Sequence, residues 1–293
     1  INDFNIFYKI KKKFKKNKIL ILNNFNQINL NIKNDITITA IPGIAGLTPT
    51  FKMIKVSKKI LMSNKESIIC GWHLIKKKAL EHKTKIIPID SEHYSIMKLI
   101  EGTNLDDIKK VYLTASGGPF LNYTSNQLKK ITPKAAIKHP KWKMGKKISI
   151  DSSTLMNKIF ELIEAQKLFN FPLNKLDIII HPESLVHAIV ELKNGLSKFL
   201  YHDTSMKIPL VNALFDGKLE IDQFLVRGVK NKIDKSPLIK NLTFKKVDQT
   251  KFPIIKAKKR LNEYPSTSII LNAANEVLVD HFLRKKIPYL SIF

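Results

Sequence analysis

Three carboxylates are the first residues whose types and spacing suggest chemistry: Asp90 and Glu92 in PIDSEH, and Glu161 in STLMNKIFELIE. Asp90 and Glu92 stand two apart, so in an extended chain both side chains point the same way. A lone D-x-E means little, because acidic residues commonly cap the next helix. Joined by Glu161 it becomes an all-oxygen donor set of the kind that suits Mg²⁺ or Mn²⁺ rather than Zn²⁺. A second chemistry lies in the stretch from His139 to Glu164. From Ser153 to about Phe169 the apolar residues Leu155, Ile159, Leu162 and Ile163 recur at helical spacing, while Asn157, Lys158 and Glu161 fall on another face, free for chemistry. Asp151, Ser152, Ser153 and Thr154 are expected at the start of this helix, where unpaired N–H groups and the helix dipole favour an anion such as phosphate. A capped amphipathic helix with a solvated polar face would explain any one of these residues. It leaves unexplained the approach from His139 to Lys147, where Trp142 and Met144 stand amid Lys, Gly and Pro. A lid that closes over a small ligand has this composition.

The elements that must position these groups alternate. DITITA (35–40), KKILMS (58–63), KIIPID (85–90) and VYLT (111–114) read as strands, with helices expected from about Leu47 and over Trp72–His82. Such alternation predicts an α/β fold with a parallel sheet, in which ligands gather at the carboxyl ends of strands. Lys65, the Asp90-Ser91-Glu92 run and Ser116 each follow a strand. After Phe169 the pattern changes to LDIII (176–180), VHAIVEL (186–192) and LSKFLYH (196–202), the last two joined by the hairpin signal Asn194-Gly195. His181 and His187 beside the first of these turns read as hydrogen-bonded structural histidines. The stretch 206–246 carries no clear pattern, and helical patterning dominates from Phe252, notably over 268–283. The basic run at 8–20 reads as a solvated helix face leading into a strand near Lys18–Leu22, with no function.

The chain has 293 residues, 44% of them hydrophobic, enough for two domains with real cores. A formal charge of +27 ordinarily suggests a nucleic-acid or anionic-membrane partner. Here only Arg227, Arg260 and Arg284 among 51 basic residues carry the fork used for specific phosphate and base recognition. The lysines are spread over the whole chain beside abundant Ile and Asn, a pattern expected of an A+T-rich bacterial genome, and neither a nucleic acid nor a membrane is expected as partner. Cys70 is the only cysteine, which excludes a disulfide framework and a Cys-based metal site. With no apolar run near the roughly 20 residues that span a bilayer and no signal-peptide pattern, the expectation is a cytoplasmic protein. The chain starts at Ile1 and stops at Phe293 in the manner of a fragment.

Taken in order, LMSNKES, PIDSEH, LTASGGPF, HPKWKMGKKISIDSSTLMNK, IHPESLVH and LNAANE closely resemble the motifs of the 1-deoxy-D-xylulose 5-phosphate reductoisomerase family. The resemblance runs from about Pro42 to Phe293 and is loosest over 206–265. It implies NADPH-dependent isomerisation and reduction of 1-deoxy-D-xylulose 5-phosphate to 2-C-methyl-D-erythritol 4-phosphate, toward isoprenoids, by a homodimer. It further implies that Asp90, Glu92 and Glu161 hold a divalent metal, Mg²⁺ or Mn²⁺. Lys65, Glu92, His139 and Glu161 would be the catalytic group. Ser91, Ser116, His139, Trp142, Ser152, Asn157 and Lys158 would bind the substrate, with Ser116, Ser152, Asn157 and Lys158 on its phosphate. Asn64, Glu66 and Gly145 would touch NADPH. The expected architecture is α/β: the remnant of a Rossmann-like parallel-sheet domain that ends the NADPH-binding part (1–89), an α+β catalytic domain with a mixed sheet (90–245), and the start of a C-terminal helical domain (246–293).

Departures from the family pattern set the alternatives. Nothing in residues 1–60 resembles the Gly-rich phosphate loop of GSTGSIG type, and Pro42-Gly43-Ile44-Ala45-Gly46 matches a later turn of that domain. Ile159 stands where the family usually has Gly, next to Lys158, so a disturbed helix or phosphate site is expected. The other readings are a cofactor-incompetent remnant acting as a basic nucleic-acid-binding protein, and a metal-dependent sugar-phosphate isomerase that never needed NADPH. Dinucleotide affinity rests largely on backbone N–H groups that a Gly-rich turn brings to the pyrophosphate. Fluorescence titration of the 293-residue polypeptide with NADPH is therefore expected to show no saturation at micromolar concentration. Tight binding would mean a cofactor site of another kind within the first 60 residues.

Overall fold

The computed structural model describes residues 3–139, 144–221 and 241–293. α1 (Phe4–Lys13) is capped by Asp3, whose side chain accepts from the Ile6 N–H, and turns Phe7 inward while its lysines stay in water. No strand forms near Lys18–Leu22: Ile19 and Leu20 are exposed and pair with no neighbouring edge. Strand propensity without a ladder partner is too weak to act alone.

β1 (Asn34–Thr39), β2 (Ser57–Met62) and β3 (Lys85–Pro88) make a three-stranded parallel sheet in the order β1-β2-β3. α2 (Leu47–Ile54) and α3 (Lys65–Glu81) are the crossovers, and their apolar faces meet the sheet around Ile54, Ile60, Met62, Ile68 and Ile75. α3 begins seven residues before the expected Trp72, because Asn64 caps it by accepting from the Ser67 N–H. α4 (Ser91–Ile100) follows β3 directly.

β4 (Ile108–Ala115) does not join that sheet; the strand–helix alternation alone points to one parallel sheet, whereas the fold that the resemblance implies has a mixed sheet beside the parallel one, as observed. β4 lies at the centre of this second, mixed sheet with the order β7-β6-β4-β5-β8, formed with β5 (Leu176–Ile180), β6 (Val186–Leu192), β7 (Ser197–Tyr201) and the short β8 (Lys245–Lys246). β4 runs parallel to β5 and antiparallel to β6; the hairpin at Asn194-Gly195 joins β6 to β7. Between β4 and β5 come the single turns α5 (Ser125–Leu128) and α6 (Pro133–Ala136), then α7 (Lys146–Thr154) and α8 (Met156–Phe169). α9 (Lys207–Phe215) follows β7. Residues 253–260 form 3₁₀ turns, and α10 (Thr267–Leu283) is the long helix that the sequence pattern predicts. Among the described residues no helix is long and apolar enough to cross a membrane.

α8 is the axis of the molecule. It packs on α3 from the first sheet and on β4 and β5 of the second, so it is apolar on more than one side, and Met156, Ile159, Phe160, Leu162 and Ile163 all enter the main core. Ile159 is fully buried there and α8 runs through it unbroken; no disturbance of the helix follows from its branched side chain. Replacing a core isoleucine by glycine removes packing and adds helix-propensity cost. Ile159→Gly is thus expected to lose roughly 3–6 kcal/mol of stability, read from urea unfolding. A loss below about 1 kcal/mol would mean that the core closes over the gap.

Candidate functional site

The carboxyl ends of β3 and β4 and the junction of α7 with α8 surround a cavity of about 250 Å³. The expected helix of 153–169 is in fact two helices. Leu155 takes a left-handed conformation (φ 63°) between them, ending α7 and starting α8. Asp151, Ser152, Ser153 and Thr154 therefore lie in the last turn of α7, not in the first turn of α8. Only Ser152 of the four lines the cavity. Asp151 is buried behind it, accepting from Lys147 (2.8 Å) and Asn275 (2.8 Å), and Ser153 bonds to Tyr289. The left-handed turn points the N-terminal end of α8 into the cavity, with Asn157 and Lys158 in its first turn.

Asp90 and Glu92 are not in extended chain. Asp90 occupies the N-cap position of α4 yet makes no capping bond; its carboxylate accepts instead from the Lys65 ammonium at 3.1 Å. Glu92 sits in the first turn, accepting from Ser91 Oγ and from Lys158. Glu161, only 1% exposed, rises from α8 one turn beyond Asn157 and Lys158 and accepts from both. One oxygen from each of Asp90, Glu92 and Glu161 lies within 4.8 Å of the others, a spacing that could hold a metal ion. The face carrying Asn157, Lys158 and Glu161 lines the cavity, in line with the expectation of a face left for chemistry, while protein rather than bulk solvent surrounds it.

Lys65 is the first residue of α3. Besides Asp90 it donates to Asn157 (2.9 Å) and lies 3.9 Å from both Glu161 and Glu164. Burial works against its charge, but Asp90, Glu164 and Glu161 together hold the ammonium well above the usual lysine range. The carboxylates respond unequally. Burial, then Glu92, push Glu161 up to about 8, and burial alone among the raising effects dominates for Glu164, pushed up to about 7. Asp90 and Glu92 are half-buried, which also works to raise them, yet their lysine partners hold both below the usual range.

The remaining expected residues fall into two groups. Ser116 leads into a turn where Gly117 and Gly118 both have positive φ. At Gly118 a Cβ would lie 2.9 Å from the Ser152 carbonyl oxygen, so glycine is what lets Ser116 approach α7. Ser116 Oγ lies 3.1 Å from His139 Nε2 and accepts from the Gly118 N–H. Burial, and then Lys158, lower His139 to about 4, so its ring is neutral at pH 7. Ser91, His139 and Met144 line the cavity; Trp142 lies outside the described residues.

Asn64, Glu66 and Gly145 line a second, more open cleft of about 780 Å³, joined to the first through Ser63, Lys65 and Ile148 and bounded by the 40–45 turn and α10. Asn64 is already engaged. Its amide donates to the Ile41 and Gly43 carbonyls (2.6 and 2.9 Å), so its side chain fastens the turn. Glu66 accepts an ion pair from Lys147 at 3.5 Å.

Glu164, His93 and His202 escape the sequence reading, and His187, read as a hydrogen-bonded structural histidine, meets the His202 carbonyl but also lines the cavity. Glu164 and His93 lie behind Lys65, with Asp90 they form a second carboxylate-histidine cluster, and His93 Nε2 meets the Glu161 carbonyl at 3.0 Å. Glu164 follows Glu161 by three, a helical spacing that was available as a signal. His187 lines the cavity and stacks on His202, ring centroids 3.8 Å apart; its nearness to Glu92 depends on β6 pairing with β4, which no local pattern announces.

Family models for the 1-deoxy-D-xylulose 5-phosphate reductoisomerase C-terminal domain match residues 86–169, for the DXP reductoisomerase C-terminal domain 203–293, and for 1-deoxy-D-xylulose 5-phosphate reductoisomerase 5–71. The chain is 45% identical to the 1-deoxy-D-xylulose 5-phosphate reductoisomerase of Pelagibacter ubique, over 100% of this chain and 75% of that one. It is 44% identical to the enzyme from Wolbachia of Drosophila simulans, over 88% of this chain and 65% of the relative. Among solved structures it resembles DOX-P reductoisomerase in complex with NADPH, fosmidomycin and magnesium, with TM-score 0.83, 34% identity and 99% and 73% of the two chains covered. The enzyme from Zymomonas mobilis in complex with NADPH gives TM-score 0.80 and 30% identity, covering 100% and 75%.

The raised carboxyls set a pH dependence. A carboxyl more easily protonated in the folded than in the unfolded chain stabilises the fold below its ordinary pKa and loses that contribution as pH rises through the raised value. For Glu161 the window is about 4.5 to 8. His187, held down to about 4 chiefly by burial, tilts the other way, losing stability as pH falls below its ordinary value of 6.5. Between pH 6.5 and 8 the carboxyls dominate, so the metal-free chain is expected to lose roughly 2 kcal/mol. Glu161→Gln should flatten that slope in urea unfolding; an unchanged slope would show that Glu161 is ionised throughout.

Proposed function

The chain belongs to the 1-deoxy-D-xylulose 5-phosphate reductoisomerase family, and from that premise we propose that its cavity serves the NADPH-dependent isomerisation and reduction of 1-deoxy-D-xylulose 5-phosphate to 2-C-methyl-D-erythritol 4-phosphate. The observation that carries the reading is the convergence of Asp90, Glu92 and Glu161 beside two lysines and a helix N-terminus in one cavity. Division into parts 1–89, 90–245 and 246–293 belongs to the same reading.

The donor set fits Mg²⁺ or Mn²⁺: all ligands are oxygens, and Glu161, driven by burial to hold a proton near neutral pH, would exchange it for a cation. A divalent ion held by Asp90, Glu92 and Glu161 would supply Lewis-acid polarisation of the substrate's carbonyl and hydroxyl oxygens. The chain's own residues do the rest. Lys65, charged and fixed by Asp90 and Asn157, would neutralise negative charge developing on a substrate oxygen. Ser91 would bind the oxygenated backbone. Ser116, Ser152, Asn157 and Lys158 would take the phosphate, aided by the first turn of α8. Neutral His139, with Trp142, would cover the substrate and exclude water. NADPH, for which this polypeptide without a Gly-rich turn is expected to have little affinity, would supply hydride at the adjoining cleft, where Glu66 and Gly145 lie at the wall and Asn64 shapes the turn beneath.

Two substitutions test this assignment on the polypeptide itself. Glu161→Gln removes an anionic ligand from a helix that tolerates Gln nearly as well as Glu, and Mn²⁺ affinity should fall while the fold survives. Lys158→Ala should weaken a phosphorylated substrate analogue by on the order of 1.5–3 kcal/mol and leave the analogue lacking phosphate nearly unaffected. Unchanged Mn²⁺ titration in the first, or equal losses for both analogues in the second, would overturn the respective role.

A further inference from the structure

Among the described residues the Lys158 ammonium donates to two carboxylates of the cation site, Glu92 and Glu161, and to neither Ser116 nor Ser152. We propose that Lys158 is the resident cation of this cluster, that a divalent metal displaces it, and that the displaced ammonium completes the phosphate subsite. Metal and phosphorylated ligand then bind with positive coupling through one side chain. The inference rests on the cation site proposed above and adds the order in which its parts assemble.

Geometry demands the exchange. Lys158 is buried, and its ammonium bonds one oxygen of Glu92 and one of Glu161. A metal held by those two residues with Asp90 competes for the same carboxylates, and two cations a few ångströms apart in a poorly screened interior repel strongly. The ammonium can leave because it ends a flexible four-carbon stem, whereas its Cα is fixed in the first turn of α8. The wall it can swing toward is the one lined by Ser116, Ser152 and Asn157. Lys158 is also poorly placed for a permanent cation, because the first turn of a helix disfavours positive charge. Glu92 and Glu161 offset that cost while they hold it. Once a metal occupies them, an incoming anion is what can. Reciprocity follows: a phosphate that draws Lys158 away frees Glu92 and Glu161 for the metal. Lys65 differs, since besides Asp90 it is held by Asn157 and Glu164, which are not among the proposed ligands, and it stays.

Acylation of lysines by a small amine-reactive ester, read by mass spectrometry of the 293-residue chain, follows the two ammonium groups directly. Without metal both Lys158 and Lys65 should label slowly. Saturating Mg²⁺ should raise Lys158 labelling roughly fivefold or more and leave Lys65 unchanged, and inorganic phosphate added with Mg²⁺ should protect Lys158 again. The concentration of phosphate for half protection should be higher without Mg²⁺. In Lys158→Met, the Mg²⁺ concentration that half-raises the unfolding temperature should fall and cease to respond to phosphate. A Mg²⁺-induced thermal shift without any change in Lys158 labelling would overturn the exchange while leaving the cation site standing. No thermal shift at all would overturn the cation site, and the exchange with it.

Discussion

Four carboxylates, those of Glu161 and Glu164 buried and those of Asp90 and Glu92 half-buried, converge on two ammonium groups among the described residues, those of Lys65 and Lys158. Taking ions out of water costs several kcal/mol each, and partial pairing does not cancel it. The cluster is consequently short of two positive charges when all four acids are ionised. The metal-free chain meets the deficit with protons, which is why the deeply buried Glu161 and Glu164 are the acids raised toward neutrality while the less enclosed Asp90 and Glu92, paired with lysines, stay low. One divalent ion carries the same charge as those two protons. The site is built to be incomplete by the amount that its proposed cation supplies.

Local structure around the cluster gives up ordinary stabilising features to achieve this. Asp90 stands at an N-cap and does not cap. Leu155 breaks what would otherwise be one long helix by adopting positive φ, which costs a leucine on the order of 1 kcal/mol or more. Lys158 lies at the wrong end of a helix dipole. Each departure aims one group into the cavity, and each is tolerated because the surrounding core, from Ile96 to Ile163 and Val190, is fully buried and leaves no alternative packing.

Much of the frame was legible in the sequence because it is locally encoded. The three parallel strands, the hairpin at Asn194-Gly195 and the helix over 268–283 follow from runs of apolar residues and turn signals that act over a few positions. What could not be read depends on partners distant in sequence. β4 looks like a fourth strand of the first sheet until β5 and β6 are available to pair with it. The break at Leu155 has no Gly or Pro to announce it. Asp90, Glu92 and Glu161 could be grouped as acids, but that Lys158 bonds to Glu92 across 66 residues is a fact of the fold alone. Of the motifs, LNAANE carried a resemblance without a physical reason, and its Asn275 turns out to be a structural donor.

That donor explains why residues far from the cavity matter to its shape. The end of α7 presents Ser152, and its position is fixed on the other side by Asn275 donating to Asp151 and by Tyr289 donating to the Ser153 carbonyl. Asp151 is wholly buried, so with Asn275 and Lys147 absent its carboxylate would be an unpaired ion in the interior, the costly half of a broken pair. Lys147 in turn reaches Glu66 and lies over the Phe160 ring, which ties α7 to α3 and α8 at once. A rigid frame is what a mobile ammonium needs: if Ser152 and Asn157 drifted, a displaced Lys158 would have no fixed wall to meet, and positive charge released by a metal would be lost to solvent instead of being held for an anion. α10 and the 3₁₀ turn that follows it thereby act on the phosphate side of the cavity without touching it, through one side-chain hydrogen bond each to the turn that carries Ser152.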